Sequence, residues 1–388
     1  MPGPEFRPRP RRSRRGAALT LVFAGVLATG AVTDALPVDR PADDHRPLAA
    51  GPAGATVDPD AVARAAADAV AEGGSGTKAA REVVSRSGDR WGAVYDRDEY
   101  ARFQQSLDGE YTGVGLRAKR SADGRVEVAR VRPGGPAERA GIRAGDRLRT
   151  IGGRSVDGRP VTEIVALLRG DERTDVTLGL ERGGRAWTER LVRTTLSAES
   201  VTVERLAGGA VKIRVSSFTR GTGERVKDAV AEAPDGAGVL LDLRGNSGGL
   251  ITEAVTAASA FLDGGLVATY DVDGEQHALY AEPGGDTGRP VVALVDGGTM
   301  SAAEMVTGAL KDRGRAVTVG TRTFGKGSVQ MPRPLLDGSV AELTVGHYRT
   351  PEGHQVDGRG IVPDLTPADG EDAEERAETV LSGLGAGS

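Results

Sequence analysis

The sequence predicts a multidomain α/β protein, α+β in its layout: an N-terminal helical cap, a small strand-rich module, and a core built on a mixed βαβ sheet. Three observations carry that prediction. Helical spacing runs through residues 56–107, alternating strands broken by glycine turns follow from Tyr111, and from Ala210 strands and helices alternate. The last pattern implies a partly parallel sheet with helices packed on it. At 388 residues the chain is long enough for two or three such units.

Composition removes several function classes. The chain is 38% hydrophobic and 27% charged, within the globular range, but carries 57 glycines and only 4% aromatics. Its net charge of -5 is uneven: six arginines and one glutamate within residues 1–16 leave -10 on the remainder. An acidic body without a basic face argues against nucleic acid as a partner. With no cysteine there are no disulfides, thiol nucleophiles, zinc-thiolate sites or lipoprotein attachment site, and no metal or cofactor is expected. The basic head RPRPRRSRRG precedes an uncharged run of 16 residues, AALTLVFAGVLATGAV, that ends in small side chains. That is the pattern of an export signal over residues 1–32. The run falls short of the ~20 residues that span a bilayer, so cleavage is favoured over anchoring. The protein is therefore expected outside the cytoplasm, extracellular or in the cell envelope, with a membrane contact only if residues 17–32 are retained.

Taken in order, residues 33–57 form a Pro/Ala/Asp-rich linker. Residues 58–110 form the helical region, with an alanine-rich segment, a Gly/Ser break, and DEYARFQQSL, whose Tyr100, Phe103 and Leu107 share a helical face. Residues 111–195 begin with YTGVGLRAK, an Asp123-Gly124 turn and RVEVARV. PGGPAERAGIRAGDRLRTIGG, the helical VTEIVALLRG and the alternating TDVTLGLERGG follow. This order resembles a PDZ domain, with Gly134-Gly135-Pro136-Ala137, Ala140-Gly141-Ile142 and Gly145-Asp146 at that family's spacing. The resemblance implies a module that binds a chain terminus. Its carboxylate loop would be Tyr111, Thr112, Gly113, Val114, Gly115 and Leu116, with the peptide added as a strand. Gly113 to Ala118 also matches the dinucleotide fingerprint G-x-G-x-x-A, but a hairpin follows where the fingerprint needs a helix.

In the core, residues 196–366, strands are expected at Val211–Val215, Gly238–Leu243, Leu266–Tyr270, Val291–Val295, Ala316–Val319 and Ala341–His347. Helices are expected at Glu224–Ala233, from the turn Arg244-Gly245-Asn246-Ser247-Gly248-Gly249 to about Leu262, and after Ser301. Sites in open sheets form beyond the carboxyl ends of strands, where LLDLRGNSGG and VALVDGGTMS both end. The acidic stretch after Thr366, residues 367–388, reads as a surface helix or a disordered tail.

Residues 296–330 hold the candidate chemistry. Ser301 begins a helix, and Ser301-Ala302-Ala303-Glu304 reads equally as a capping box. A nucleophile is compatible with that place, because the helix dipole favours negative charge nearby. Lys326 sits in Phe-Gly-Lys-Gly. Gly320 to Lys326 matches the phosphate loop G-x-x-x-x-G-K, but Gly327 replaces the required Ser or Thr, and Pro332 and Pro334 forbid the long helix. An exposed lysine has about one part in 10³ neutral at pH 7, so a lysine base needs burial. In an extended stretch Gln330 shares a face with Lys326 and could orient it. His277, His347 and His354 lack metal spacing; a Ser–His arrangement stays open.

Together these segments resemble the C-terminal processing peptidases, also called tail-specific proteases, from about residue 80 to residue 365. The resemblance rests on DRDEYARFQQSLDGEYTGVGL, the PDZ module, LLDLRGNSGGL, TMSAAEMVTGALKDRGRAVTVGTRTFGKGSVQ and YRTPEGHQVDGRGIVPD. It implies that Ser301 is the nucleophile, Lys326 the general base and Gln330 its positioner. The oxyanion hole would use the Ala302 N–H and one from Gly248 or Gly249. Arg169 matches a position that couples PDZ docking to activation in some members. Ser247 stands where the family usually has proline, and Ala303 where it usually has serine. The implied protein is an exported serine endopeptidase acting on protein or peptide C-termini, with a homo-oligomer left open. The rival readings are a non-catalytic scaffold or lipid carrier on the same fold, and a nucleotide-binding enzyme, which Gly327 argues against.

Overall fold

The computed structural model describes residues 56–121, 124–272 and 274–385. The export-signal segment, most of the linker and Asp123 of the expected turn lie outside these residues. Among the described residues no helix is long and apolar enough to cross a membrane.

The N-terminal region holds α1 (Pro59–Ala71), α2 (Gly76–Ser87), β1 (Ala93–Tyr95) and α3 (Arg97–Leu107). Its helix starts follow from local chemistry. Asp58 accepts from the Asp60 N–H ahead of Pro59, whose missing N–H costs nothing at a helix start. Ser75 accepts from the Lys78 N–H, and Asp96 and Glu99 form a reciprocal capping box. The region is not purely helical, as the spacing suggests. Three residues of β1 pair antiparallel with residues 340–342, which joins this region to the core. Val62, Ala66, Ala80 and Val84 pack with Leu335, Ala341 and Leu343 across that junction.

The next module contains β2 (Glu110–Gly113), β3 (Leu116–Arg120), β4 (Val126–Val131), α4 (Pro136–Arg139), β5 (Arg147–Ile151), β6 (Arg154–Ser155), α5 (Val161–Leu168), β7 (Asp175–Arg182), β8 (Arg185–Val192) and β9 (Thr194–Ser197). Strands β3-β4-β5-β7-β8 form one antiparallel sheet, with β6 paired to β5. Its inward positions, among them Val126, Val128, Leu148, Leu178 and Leu180, enclose Ile164 and Leu168 of α5. The expected first strand divides at Gly115, where φ is +77° and only glycine turns without strain. The segment before the turn, β2, pairs with β9 and so ties the module's two ends together.

The core follows as β10 (Val201–Arg205), β11 (Val211–Val215), α6 (Thr222–Ala231), β12 (Val239–Asp242), α7 (Ile251–Ser259), β13 (Leu266–Val272), β14 (Glu275–Tyr280), β15 (Val291–Val295), α8 (Ala302–Asp312), β16 (Val317–Gly320), β17 (Ser328–Pro334), β18 (Val340–Arg349) and α9 (Ala373–Gly385). One sheet runs β10-β11-β12-β15-β16, with its last four strands parallel. Both its faces are covered, which explains the unbroken apolar runs of β12 and β15. Leu241, Ala293 and Val295 face the α6–α8 side, while Leu240, Val292 and Leu294 face α9. The other sheet runs β1-β18-β13-β14, with β17 on the far edge of β18. Pro332 and Pro334 are tolerated there because an edge strand leaves one row of N–H groups unused. Helix α8 lies between the sheets and is buried from Ala302 to Leu310.

Of the two alternatives for the acidic segment after Thr366, a surface helix or a disordered tail, the structure has a helix, α9. Ala377 and Leu381 of α9 are buried against Leu240, Leu294 and Val319. Glu374 reaches back to Lys212 and Arg244. Its acidic count hid an apolar face at a spacing of four residues.

Candidate active site

Two strand-end loops meet at Ser301. After β12, Asn246 is fully buried and acts as a staple: its Nδ2 donates to the Val215 carbonyl (2.9 Å), its Oδ1 accepts the Gly248 N–H (2.9 Å), and its carbonyl accepts the Met300 N–H (2.8 Å). After β15, Asp296 Oδ1 accepts the N–H groups of Gly245 and Gly298, both at 2.9 Å. The two loops are thus held in register, and Gly248 lies directly against Ser301. A Cβ on Gly248 would stand 2.9 Å from Ser301 Cβ and 3.2 Å from the Ala302 nitrogen.

Ser301 is fully buried, with φ 57° and ψ -118°. Such a positive φ is costly for a side chain other than glycine and persists only where surroundings over-determine it. Here the Ser301 N–H donates to Glu304 Oε2 (2.9 Å) and its carbonyl accepts the Tyr348 hydroxyl (3.0 Å). Its own Oγ makes no hydrogen bond. The expected capping-box arrangement of Ser301 and Glu304 is present, but with Ser301 outside the extended backbone of an ordinary N-cap only its glutamate half makes a hydrogen bond.

Glu304 does more than close a helix end. The same Oε2 accepts the Lys326 N–H (2.8 Å), so one oxygen holds the backbones of Ser301 and Lys326 together. Its other oxygen accepts the Thr323 hydroxyl (2.5 Å) and the Gly325 N–H (2.7 Å). Burial pushes the Glu304 carboxyl up, and these four donors oppose that. The N–H groups that a phosphate loop would turn toward an anion are here given to a carboxylate of the chain itself. The loop is also pressed onto residues 357–360, where a Cβ on Gly327 would meet the Asp357 nitrogen at 2.4 Å.

Lys326 is fully buried and its Nζ has no hydrogen-bond partner. The nitrogen lies 4.7 Å from the centroid of Trp91, whose ring meets Phe324 edge-on at 5.8 Å. Burial brings the Lys326 amine down to about 7, against the opposing pull of Asp89, Glu342, Asp357 and Glu304. Gln330, also fully buried, donates through Nε2 to the hydroxyls of Ser328 (2.8 Å) and Thr344 (3.2 Å). That leaves its Oε1 as the unpartnered end of the amide. Lys326 itself precedes the strand: β17 begins at Ser328 and carries an irregularity between Val329 and Gln330, so simple alternation does not relate the two residues.

None of the described histidines bonds to the Ser301 Oγ, which has no partner. His347 faces Asp357 at 3.7 Å, and His277 stacks on Tyr270. His354 joins Asp312 and Glu352, with ligand-type atoms within 4.8 Å of one another, at the opposite end of α8 from Ser301. In the upstream module, the Arg169 guanidinium lies over the Tyr111 ring at 5.6 Å, at the end of α5 and the start of the Tyr111–Leu116 loop. Residue-type reasoning missed Trp91, Asp89, Asn246 and Tyr348 as site components. Of these, only Asn246, within its strand-end glycine turn, carried a local signal.

A family model described as peptidase family S41 matches residues 210–366, and a PDZ domain model matches residues 127–182. The solved photosystem II D1 C-terminal processing protease is 30% identical, with a TM-score of 0.51 over 80% of this chain and 86% of that one. The chain belongs to the C-terminal processing proteases of peptidase family S41. Family members named from sequence include a probable CtpA-like serine protease of Staphylococcus aureus, 35% identical over 73% of this chain and 58% of its own. The carboxy-terminal processing protease CtpA of Bacillus subtilis is 32% identical over 74% and 62%. The matched region thus spans about three-fifths of the length of these relatives. An S41 protease structure from Bacteroides fragilis shares the fold at 18% identity, TM-score 0.52.

Proposed function

We propose that the chain is an exported serine endopeptidase that captures a protein C-terminus in its PDZ domain and cleaves a peptide bond near it. One observation carries the catalytic reading: Ser301 Oγ, Lys326 Nζ and Gln330 Oε1 are all buried and all without partners. An interior leaves such groups unpaired only where another use requires it. Lys326, near neutrality, takes the Ser301 proton as Oγ attacks the carbonyl, and the Gln330 Oε1 orients the amine. The oxyanion is received by the N–H groups of Ala302 and Gly249, since the Gly248 N–H is committed to Asn246. The amine leaves with the proton carried by Lys326, and water then hydrolyses the acyl-enzyme. A non-catalytic carrier would have no need of three orphaned reactive groups.

Ser301→Ala is expected to abolish hydrolysis of a C-terminal peptide substrate, and Ser301 should be labelled by a serine-reactive phosphonate. An active Ala variant would defeat the reading. For the upstream module, the terminus would dock beside the positive-φ turn at Gly115 between β2 and β3, where Arg169 over the Tyr111 ring adds positive charge. A free-acid peptide should be cleaved at least ~10-fold more efficiently than its C-terminal amide, the share expected of a charge-assisted contact. Equal kcat/KM for the two would remove the module from substrate capture.

A further inference from the structure

Four carboxyl groups act on Lys326, and three of them accept hydrogen bonds. Asp89 accepts the N–H groups of Trp91 (3.0 Å), Gly92 (2.9 Å) and Thr344 (2.9 Å), and the Thr344 hydroxyl (2.7 Å). Asp357 accepts the Gly327 N–H (3.2 Å) and faces His347. Glu304 has the four donors described above. Glu342 differs from all three. It is the third residue of β18, fully buried, and neither of its oxygens makes a hydrogen bond. Its cross-strand neighbours explain why, since Ala93 on β1 has no side-chain donor and Pro332 on β17 has neither a side-chain donor nor an N–H. The remaining titratable groups facing it are Tyr95 and Tyr100. Burial, followed by the charge of Glu342, holds both hydroxyls up, Tyr95 to about 12. Arg81 of the N-terminal region is committed to Glu99 and the Val94 carbonyl.

A buried carboxylate without donors is far costlier than the neutral acid. Burial therefore pushes the Glu342 carboxyl up to about 7, and the charge of Lys326 pulls against that. Burial brings Lys326 down to about 7 from the other side. No hydrogen bond joins the two groups, and each shifts the other's proton affinity through space. The pair carries no net charge either as ammonium with carboxylate or as amine with carboxylic acid.

We propose that Glu342 is a positioning residue for the Ser301 chemistry: its buried, donor-less carboxyl on β18 acts through space on the equally partnerless Lys326 amine and so sets the proton state of the base. This rests on the Ser–Lys reading above. The amine–acid form is the reactive one. In it Glu342 is the neutral acid and keeps its proton while a different one moves. The Ser301 Oγ proton passes to Lys326 Nζ as the Oγ–C bond forms, then to the leaving nitrogen as the C–N bond breaks. In deacylation a water proton passes through Lys326 back to Ser301 Oγ. Glu342 is neither acid nor base to the substrate.

The test is reciprocal. In Glu342→Gln, which keeps the shape and removes the charge, the acid limb of kcat/KM should move to lower pH by about one unit, because an anion no longer favours the ammonium. In Lys326→Met, infrared difference spectra should show the carboxylic-acid band of Glu342 persisting to higher pH than in the unsubstituted protein, and the band should be missing in Glu342→Gln. An unmoved acid limb together with an unmoved band overturns the proposal. A purely structural Glu342 would change the unfolding temperature and leave both readouts in place. Should Glu342→Gln fail to fold, Glu342→Met, of similar volume and needing no donor, carries the same pH measurement. An active Ser301→Ala would defeat the Ser–Lys reading and with it the role of Glu342 in that chemistry, while the infrared arm, which needs no turnover, still reads the coupling of the two groups. A dead Ser301→Ala with both readouts unmoved defeats this one alone.

Discussion

Lys326→Arg is expected to lower kcat/KM by about 10⁴-fold or more, the cost of losing one member of a catalytic set that acts as a unit. Arginine preserves the positive charge and much of the length, so a lysine acting as a simple electrostatic anchor would be replaced with modest loss. It cannot give up its proton near neutrality, and only a base role makes the exchange fatal. The pocket sharpens this contrast, since Lys326 is fully buried and has no acceptor to satisfy five guanidinium donors. The same assignment fixes the sign of the pH dependence. Below about 7 the amine is protonated and idle, so kcat/KM should rise as pH increases through that value and fall as pH drops. Steady-state rates across pH 5–9 check the limb, and appreciable activity in the arginine variant rules out the base.

Glu304→Ala should be the most damaging substitution outside the reacting groups. It orphans the N–H groups of Ser301, Gly325 and Lys326 and the Thr323 hydroxyl, all in the interior. Each unsatisfied buried donor costs about 1–3 kcal/mol, so a loss of about 4 kcal/mol or more is expected by urea unfolding. Activity should fall further than stability explains, because the shared oxygen that links Ser301 to Lys326 is gone. Glu304→Gln tests that separation. Its amide offers a single acceptor oxygen, so it should recover part of the stability and little of the rate. Full activity in Glu304→Gln would mean that the oxygen bridge does not position the pair.

The parallel sheet and its helices were legible because the strands buried on both faces read as apolar runs and the turns are marked by glycine. Ser301, Lys326 and Gln330 could be singled out for the same reason: each lies beside a local signal, a helix start or a glycine turn. What surrounds them was not legible. Trp91 and Asp89 lie more than 200 residues before Lys326, in a segment whose pattern speaks only of helices. The partnerless state of Glu342 depends on which residues its neighbours present, and strand register is a tertiary fact. β17 was hidden by its prolines, which forbid a helix but do not announce an edge strand. The acidic composition of α9 masked its apolar stripe in a similar way.

The pairing of β1 with β18 has a consequence in time. Asp89 and Thr344, which meet across it, are 255 residues apart in the chain. At a synthesis rate of about 5–20 residues per second, Asp89 waits roughly 10–50 s for its partner to be made. Trp91, Lys326 and Glu342 cannot form one pocket before then, because their enclosing strand does not yet exist. A nascent chain therefore carries its serine without the environment that neutralises the lysine. Synthesis through β18 is the event that first makes this pocket possible.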